Sequence, residues 1–285
     1  MGHKRKRLHA WLKALGANGL PAEIVAAEAS YRLDTTLKHD FFAATGLYVL
    51  TAAAPEPVDD QAAPLKVILK VGRTARLFGL PLRWLGGWLT RREACHYEGT
   101  HDLPGVPRYL GLWQRKGLIH EYIEGHPMRR NEWVNDEFFG QLTTLIEAMH
   151  DRHMAYVDLE KSENILVGDD GCPYLIDFQI SYGLKPHGKR PSWLGRFLLR
   201  RLIQSDRYHL AKHHRRHRPD QLSPEQLEAT YRAPFWIELH RFLFRPWTLL
   251  RRRTLTKITD GEFTPRQEER RAMARLSAMF GRRSQ

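Results

Sequence analysis

From Phe138 onward, the apolar residues Phe139, Leu142, Leu145, Ile146 and Met149 follow at three- and four-residue steps, the spacing that lays one buried stripe along a helix. No other stretch of the chain carries so regular a helical signal. Upstream the period changes. Residues 33–51, with Tyr48, Val49 and Leu50 near their end, and residues 65–71 are rich in β-forming side chains. So are 108–114 and 118–123, which flank a predicted turn at Lys116 and Gly117, while the Pro- and Asp-containing residues 54–60 read as an exposed loop. These segments predict a small antiparallel sheet. Beyond the helix, the short apolar runs 164–167 and 174–178 are joined by Gly168, Asp169, Asp170 and Gly171, which predicts a hairpin. Residues 192–257 read as mostly helical and very basic. Leu8, Trp11, Leu12 and Leu15 among Lys and Arg suggest a short basic amphipathic helix over residues 1–20, or a helix packed on the domain.

A strand-rich first part and a helix-rich second part make the expected class α+β. With 285 residues, of which 42% are hydrophobic, the chain is long enough for a sizeable core and for one or two domains. The 45 Lys and Arg against 32 Asp and Glu leave a net charge of +13, and no apolar run is long enough to span a bilayer. That charge calls for an anionic partner: nucleic acid, an anionic membrane surface or a phosphorylated ligand. No base-reading motif accompanies it, so no specific nucleic acid is expected. Cys95 and Cys172 supply neither a disulfide framework nor a thiolate zinc site, and Lys13 interrupts the apolar stretch that an export signal needs. The expected setting is cytoplasmic.

The chemistry concentrates after the long helix. Asp158 follows it, Asn164 stands six residues on, and Asp177 precedes Phe178 at the end of the predicted hairpin. A loop carboxylate, an amide and a second carboxylate on the next strand can converge on one metal–phosphate site. Upstream, Lys70 ends the apolar run 65–70 and Glu93 opens a predicted helical stretch. Taken in order, Lys70, Glu93, the segment 120–125, Asp158, Asn164 and Asp177 resemble the protein-kinase-like superfamily over about residues 33–215.

The resemblance implies a bilobal α+β fold, with a small antiparallel-sheet N-lobe and a mainly helical C-lobe. It implies ATP and magnesium as cofactors. Asp158 orients or deprotonates the attacking hydroxyl, Asn164 and Asp177 hold magnesium, Lys70 pairs with phosphates and Glu93 anchors Lys70. Backbone groups of Glu121 and Ile123 meet adenine, and Asp206 either braces the catalytic loop or caps a helix. The corresponding organisation is a basic N-terminal extension over 1–22, an N-lobe over 23–123, a C-lobe over 124–258 and a basic tail over 259–285.

Departures from the family pattern point to its subclass. Val157 replaces the arginine that pairs with an activation-loop phosphate, and Gln179 replaces the flexible glycine after Phe178. The spacing from Asp158 to Asn164 is one residue longer than usual. Glu160 stands where a phosphate-contacting lysine is common, so Lys161 is expected to take that role. Residues 38–46 offer only Gly46 for close approach of backbone to phosphate, and no peptide-docking segment follows Asp177. These features resemble the bacterial lipopolysaccharide-core and small-molecule kinases. The expected activity is transfer of the γ-phosphate of ATP to a hydroxyl of an anionic sugar or lipid-linked glycan at the inner face of a cell membrane. An atypical Ser/Thr protein kinase and a pseudokinase scaffold are the alternatives.

Two further patterns leave alternatives open. Lys185, Lys189, Arg190, Arg196, Arg200 and Arg201 alternate with Trp193, Leu194, Phe197, Leu198 and Leu199, and residues 78–88 and 241–253 repeat that chemistry. This is either a peripheral contact with an anionic membrane or a set of core helices with snorkelling arginines. His209, His213 and His217 lie at four-residue steps and could form a metal site, a solvated basic face or an anion-binding patch.

Overall fold

The computed structural model describes residues 13–52, 62–75, 83–184 and 192–231. The expected segments 1–12, 54–60, 78–82, 241–253 and 259–285, with Lys185, Lys189 and Arg190, lie outside the described residues. By its contacts the chain divides into two units. Of the described residues, one unit holds those up to Cys95 together with Arg108–Tyr122, and the other holds His96–Pro107 and those from Ile123 onward.

The first unit is a six-stranded antiparallel sheet built from β1 (Glu23–Ala26), β2 (Ala29–His39), β3 (Ala43–Ala52), β4 (Lys66–Gly72), β5 (Tyr109–Trp113) and β6 (Gly117–Glu121). Its strand order is β1-β2-β3-β4-β6-β5. Successive side chains of a strand point to opposite faces. Val67, Leu69 and Val71 therefore join Tyr31, Tyr48 and Ile119 in one hydrophobic cluster, while Ile68 and Lys70 turn to the other face. Three register shifts between β2 and β3 are the bulges that curl the sheet. Leu15 and Leu20 pack on the cluster, and Ala14 is tied by backbone bonds to Asp40, Thr74 and Ala75.

Two turns hold non-glycine residues at positive φ. β1 and β2 are joined by Ala27 and Glu28, with φ of 46° and 60°, and β5 and β6 by Gln114, Arg115 and Lys116, the first two with φ of 46° and 57°. The second turn includes the predicted Lys116, whose N–H donates to Trp113 O at 3.0 Å. Gly117 instead starts β6, where an added Cβ would press on Lys70 O and Leu69 at 3.0 Å.

α1 (Arg83–Glu98) begins well before the expected helical stretch, so Glu93 sits late in the helix rather than opening it. Gly86 and Gly87 weaken the sequence signal for its first turns. In return, Gly86 allows close approach: a Cβ there would stand 2.2 Å from Arg73 O.

In the second unit, α2 (Phe138–Asp151) buries all six apolar residues that predicted it. β7 (Gly125–Pro127), β9 (Ile165–Gly168) and β10 (Pro173–Leu175) form a three-stranded antiparallel sheet in the order β10-β9-β7. The predicted hairpin is present, but its second strand stops at Leu175, and Phe178 opens a short 3-10 turn. β8 (Met154–Ala155) pairs with β11 (Tyr182–Gly183). Two more helices follow, α3 (Trp193–His217) and α4 (Pro224–Ala229), the latter with a Ser223–Gln226 capping box. The architecture is α+β with antiparallel sheets. Among the described residues no helix is long and apolar enough to cross a membrane.

α3 corrects one expectation. His209, His213 and His217 are 5%, 2% and 2% exposed, so they face the interior and do not form a solvated basic face. Among the described residues no group of three His, Cys, Asp or Glu could hold a metal ion, which removes the zinc reading as well.

Candidate active site

In the second unit, Asp158 sits on the loop between β8 and β9. Its Oδ2 accepts from Lys161 Nζ at 2.7 Å and from Asn164 Nδ2 at 2.9 Å. Burial raises the Asp158 pKa above the ordinary carboxylate range. The Lys161 hydrogen bond works against that shift, and the nearby charge of Asp177 adds to it. Asn164 is buried, and because its Nδ2 points to Asp158, Oδ1 is the amide atom left to face a cation. The β9–β10 ladder ends with Leu175 opposite Ile165, and one step further Ile176 N–H donates to Asn164 O at 3.1 Å. Asp177 follows directly, in the left-handed region with φ of 64°. The loop thus brings Asp158, Lys161 and Asn164 together, and the hairpin sets Asp177 one residue beyond the bond between residues 164 and 176.

The backbone leading into Asp158 is strained. Val157 is β-branched yet has φ of 73°, and Asp158 N–H donates to Tyr156 O at 2.9 Å, which closes a γ-turn around it. Asp206 holds this turn. It lies in the middle of α3, completely buried, and its two carboxylate oxygens accept from Tyr156 N–H at 2.7 Å and Val157 N–H at 2.8 Å. His150 Nε2 stands 3.2 Å from the same carboxylate. Asp206 is therefore not a helix cap. It braces the loop from the core.

Sequence reasoning missed four more supports. His213, seven residues and two helical turns past Asp206, donates from Nε2 to Leu159 O at 2.8 Å on the other side of Asp158. Ser181 Oγ donates to Tyr156 O at 3.0 Å, and the Tyr156 hydroxyl donates to Ile176 O. Phe178 is buried edge-on between Tyr97 and Tyr156, with ring centroids at 4.8 and 5.3 Å. Only the seven-residue spacing from Asp206 to His213 could have been noticed beforehand.

In the first unit, Lys70 and Glu93 meet as the sequence order suggested: Lys70 Nζ stands 2.8 Å from Glu93 Oε1, with both side chains largely buried. The same unit contains the β2–β3 turn, within the segment 38–46 that stands in place of a Gly-rich phosphate loop. Asp40 Oδ1 accepts from Phe42 N–H at 2.8 Å and Ala43 N–H at 2.9 Å. Arg73 donates to Phe41 O at 2.8 Å and lies over the Phe41 ring. Gly46 is not a phosphate cradle. A Cβ there would meet Leu20 at 2.7 Å and Leu33 at 2.9 Å, so its missing side chain makes room for the core.

Of the expected adenine contacts, Glu121 ends β6, with its N–H bonded to Arg108 O at 2.8 Å and its carbonyl 2.8 Å from His120 Nδ1. Ile123 begins the second unit. A surface hollow of about 340 Å³ in the second unit is lined by His150, Asp151, Arg200, Ile203, Gln204 and Arg207, and by none of the candidate residues.

One carboxylate and one amide oxygen at the end of the β9–β10 hairpin suit magnesium by ligand type, since it takes one or two carboxylates and completes its shell with phosphate oxygens and water. The residues present fit that ion. No protein-family model and no curated protein sequence matches this chain.

Proposed function

We propose that this protein is an ATP- and magnesium-dependent phosphotransferase of the protein-kinase-like kind, acting on a hydroxyl of a non-protein acceptor such as a sugar or lipid-linked glycan. The observation that carries the reading is the Asp158 carboxylate. It is desolvated, its pKa is raised, and it is bonded to Lys161 and Asn164 on a loop fixed by Asp206. A raised pKa suits a group that takes a proton from a hydroxyl as the new P–O bond forms and the bond to ADP breaks. Lys161 offsets charge on the transferred group, and Lys70, oriented by Glu93, pairs with the other phosphates. Asn164 and Asp177 would hold magnesium, which neutralises phosphate charge when bound. The bilobal kinase-like architecture belongs to this proposal. An antiparallel sheet with a buried Lys–Glu pair in one unit and a carboxylate-bearing loop in the other both support it.

A pseudokinase scaffold is the second reading, favoured by Gly46, which lies within β3 and serves the core. The test is ATP turnover with magnesium and fractionated envelope glycolipids, with the labelled product identified by mass. Asp158→Ala and Asp177→Ala are each expected to lower turnover by about 10²- to 10⁴-fold with unchanged circular dichroism. Unchanged turnover in either variant overturns the assignment, and no turnover in the parent protein favours the scaffold.

A further inference from the structure

α3 has two unlike faces. Its inner face carries Leu199, Asp206, Leu210 and His213, all buried, and it holds the Asp158 loop. Its first turns turn the opposite chemistry outward. Trp193, Leu194, Phe197 and Leu198 are 79%, 58%, 41% and 44% exposed. Positions i, i+1, i+4 and i+5 make one continuous stripe on a helix. The reading of this segment as a core helix with snorkelling arginines therefore fails for these four residues.

Arg196 and Arg200, three and seven residues after Trp193, flank the stripe, and the Arg201 guanidinium lies 4.9 Å from the Phe197 ring centroid. From Ser192 to Gln204 there is no acidic residue. The start of the helix is fixed, because Ser192 Oγ caps Gly195 N–H at 3.1 Å.

We propose that the first two turns of α3 form a docking face for an anionic lipid bilayer. Such a surface offers both chemistries at one depth: acyl chains for Trp193, Leu194, Phe197 and Leu198, and phosphate headgroups for Arg196, Arg200 and Arg201. A nucleic acid would satisfy the arginines and leave four large apolar side chains in water. The inference does not depend on the phosphotransfer reading.

The test uses the full chain and sedimentation with vesicles of phosphatidylcholine, with and without phosphatidylglycerol. Binding is expected to the anionic vesicles, to be weak with phosphatidylcholine alone and to fall as salt rises. The triple variant Arg196→Gln, Arg200→Gln, Arg201→Gln should lose on the order of a hundredfold in affinity, at about fivefold per arginine. Trp193→Ser with Phe197→Ser should lose at least about tenfold. Vesicles carrying brominated acyl chains should quench the emission of the parent protein more than that of Trp193→Phe, a substitution that leaves folding untouched at this exposed site. Parent-like binding by both multiple variants, equal binding to neutral vesicles, or equal quenching in Trp193→Phe would overturn the proposal. So would retention of a polyanion such as heparin, lost in the arginine variant, without any vesicle binding.

Discussion

Val157 and Phe42 each mark an irregular turn next to proposed chemistry, and the two turns are held in different ways. The turn at Val157 is tied from far along the chain by a carboxylate with no solvent exposure, Asp206, and by His213 on the same helix. The turn at Phe42 is tied within a few residues by Asp40 and across the sheet by Arg73, and Phe42 itself is 50% exposed. A strained backbone persists only where its surroundings over-determine it. The loop that carries Asp158 meets that condition whether or not a ligand is present. The β2–β3 tip is merely a well-capped turn.

The sharpest way to break this contrast is to remove the long-range brace. Asp206→Ala leaves the buried Tyr156 N–H and the half-buried Val157 N–H without acceptors, at a cost of about 4 kcal/mol in stability. Asp206→Asn keeps one acceptor oxygen and should recover about half. Urea denaturation reads both. If the alanine variant loses no more than an ordinary surface substitution, the strained turn does not need Asp206.

A smaller effect comes from His213, which burial keeps neutral with a pKa of about 4, below its ordinary 6.5. The unfolded chain therefore takes up the proton first. This contribution to stability is complete above about pH 6.5 and is lost as pH falls towards 4, by about 3 kcal/mol in all. His214 and His217 are shifted the same way, also by burial, whereas the raised pKa of Asp158 acts in the opposite sense. His213→Gln retains a donor for Leu159 O and removes the titration. Its stability should change less than that of the parent between pH 7 and pH 4.5, and identical profiles would show that His213 plays no part.

How far the sequence foretold these features follows from the physics of each. α2 was legible because six apolar residues share one face. Lys70 was legible because it closes a short apolar run, and Asp158 and Asn164 because their spacing is short and local. The inner stripe of α3 was not, because it mixes Leu199 and Leu210 with Asp206 and three histidines, among exposed arginines that hide the period. Nor was the turn at Ala27–Glu28, where neither Gly nor Asn marks a positive φ, while the turn after β5 was read from Lys116 without its positive-φ residues Gln114 and Arg115. Asp206 was recognisable as a candidate, but the N–H donors it accepts from lie some fifty residues away, a distance no local pattern encodes.

The mildest expected effect is at the other turn. Asp40→Ala removes two amide bonds and the 2.9 Å ion pair with Lys38, but water reaches this tip and can replace the lost acceptor. The cost should be about 1 kcal/mol, as for a helix cap. Hydrogen exchange should quicken at the Phe42 and Ala43 amides while those of Tyr156 and Val157 stay protected. If Asp40→Ala instead costs as much as Asp206→Ala, or deprotects both turns together, then the β2–β3 tip is part of the cooperative core, and the distinction between a locally capped turn and a core-braced one fails.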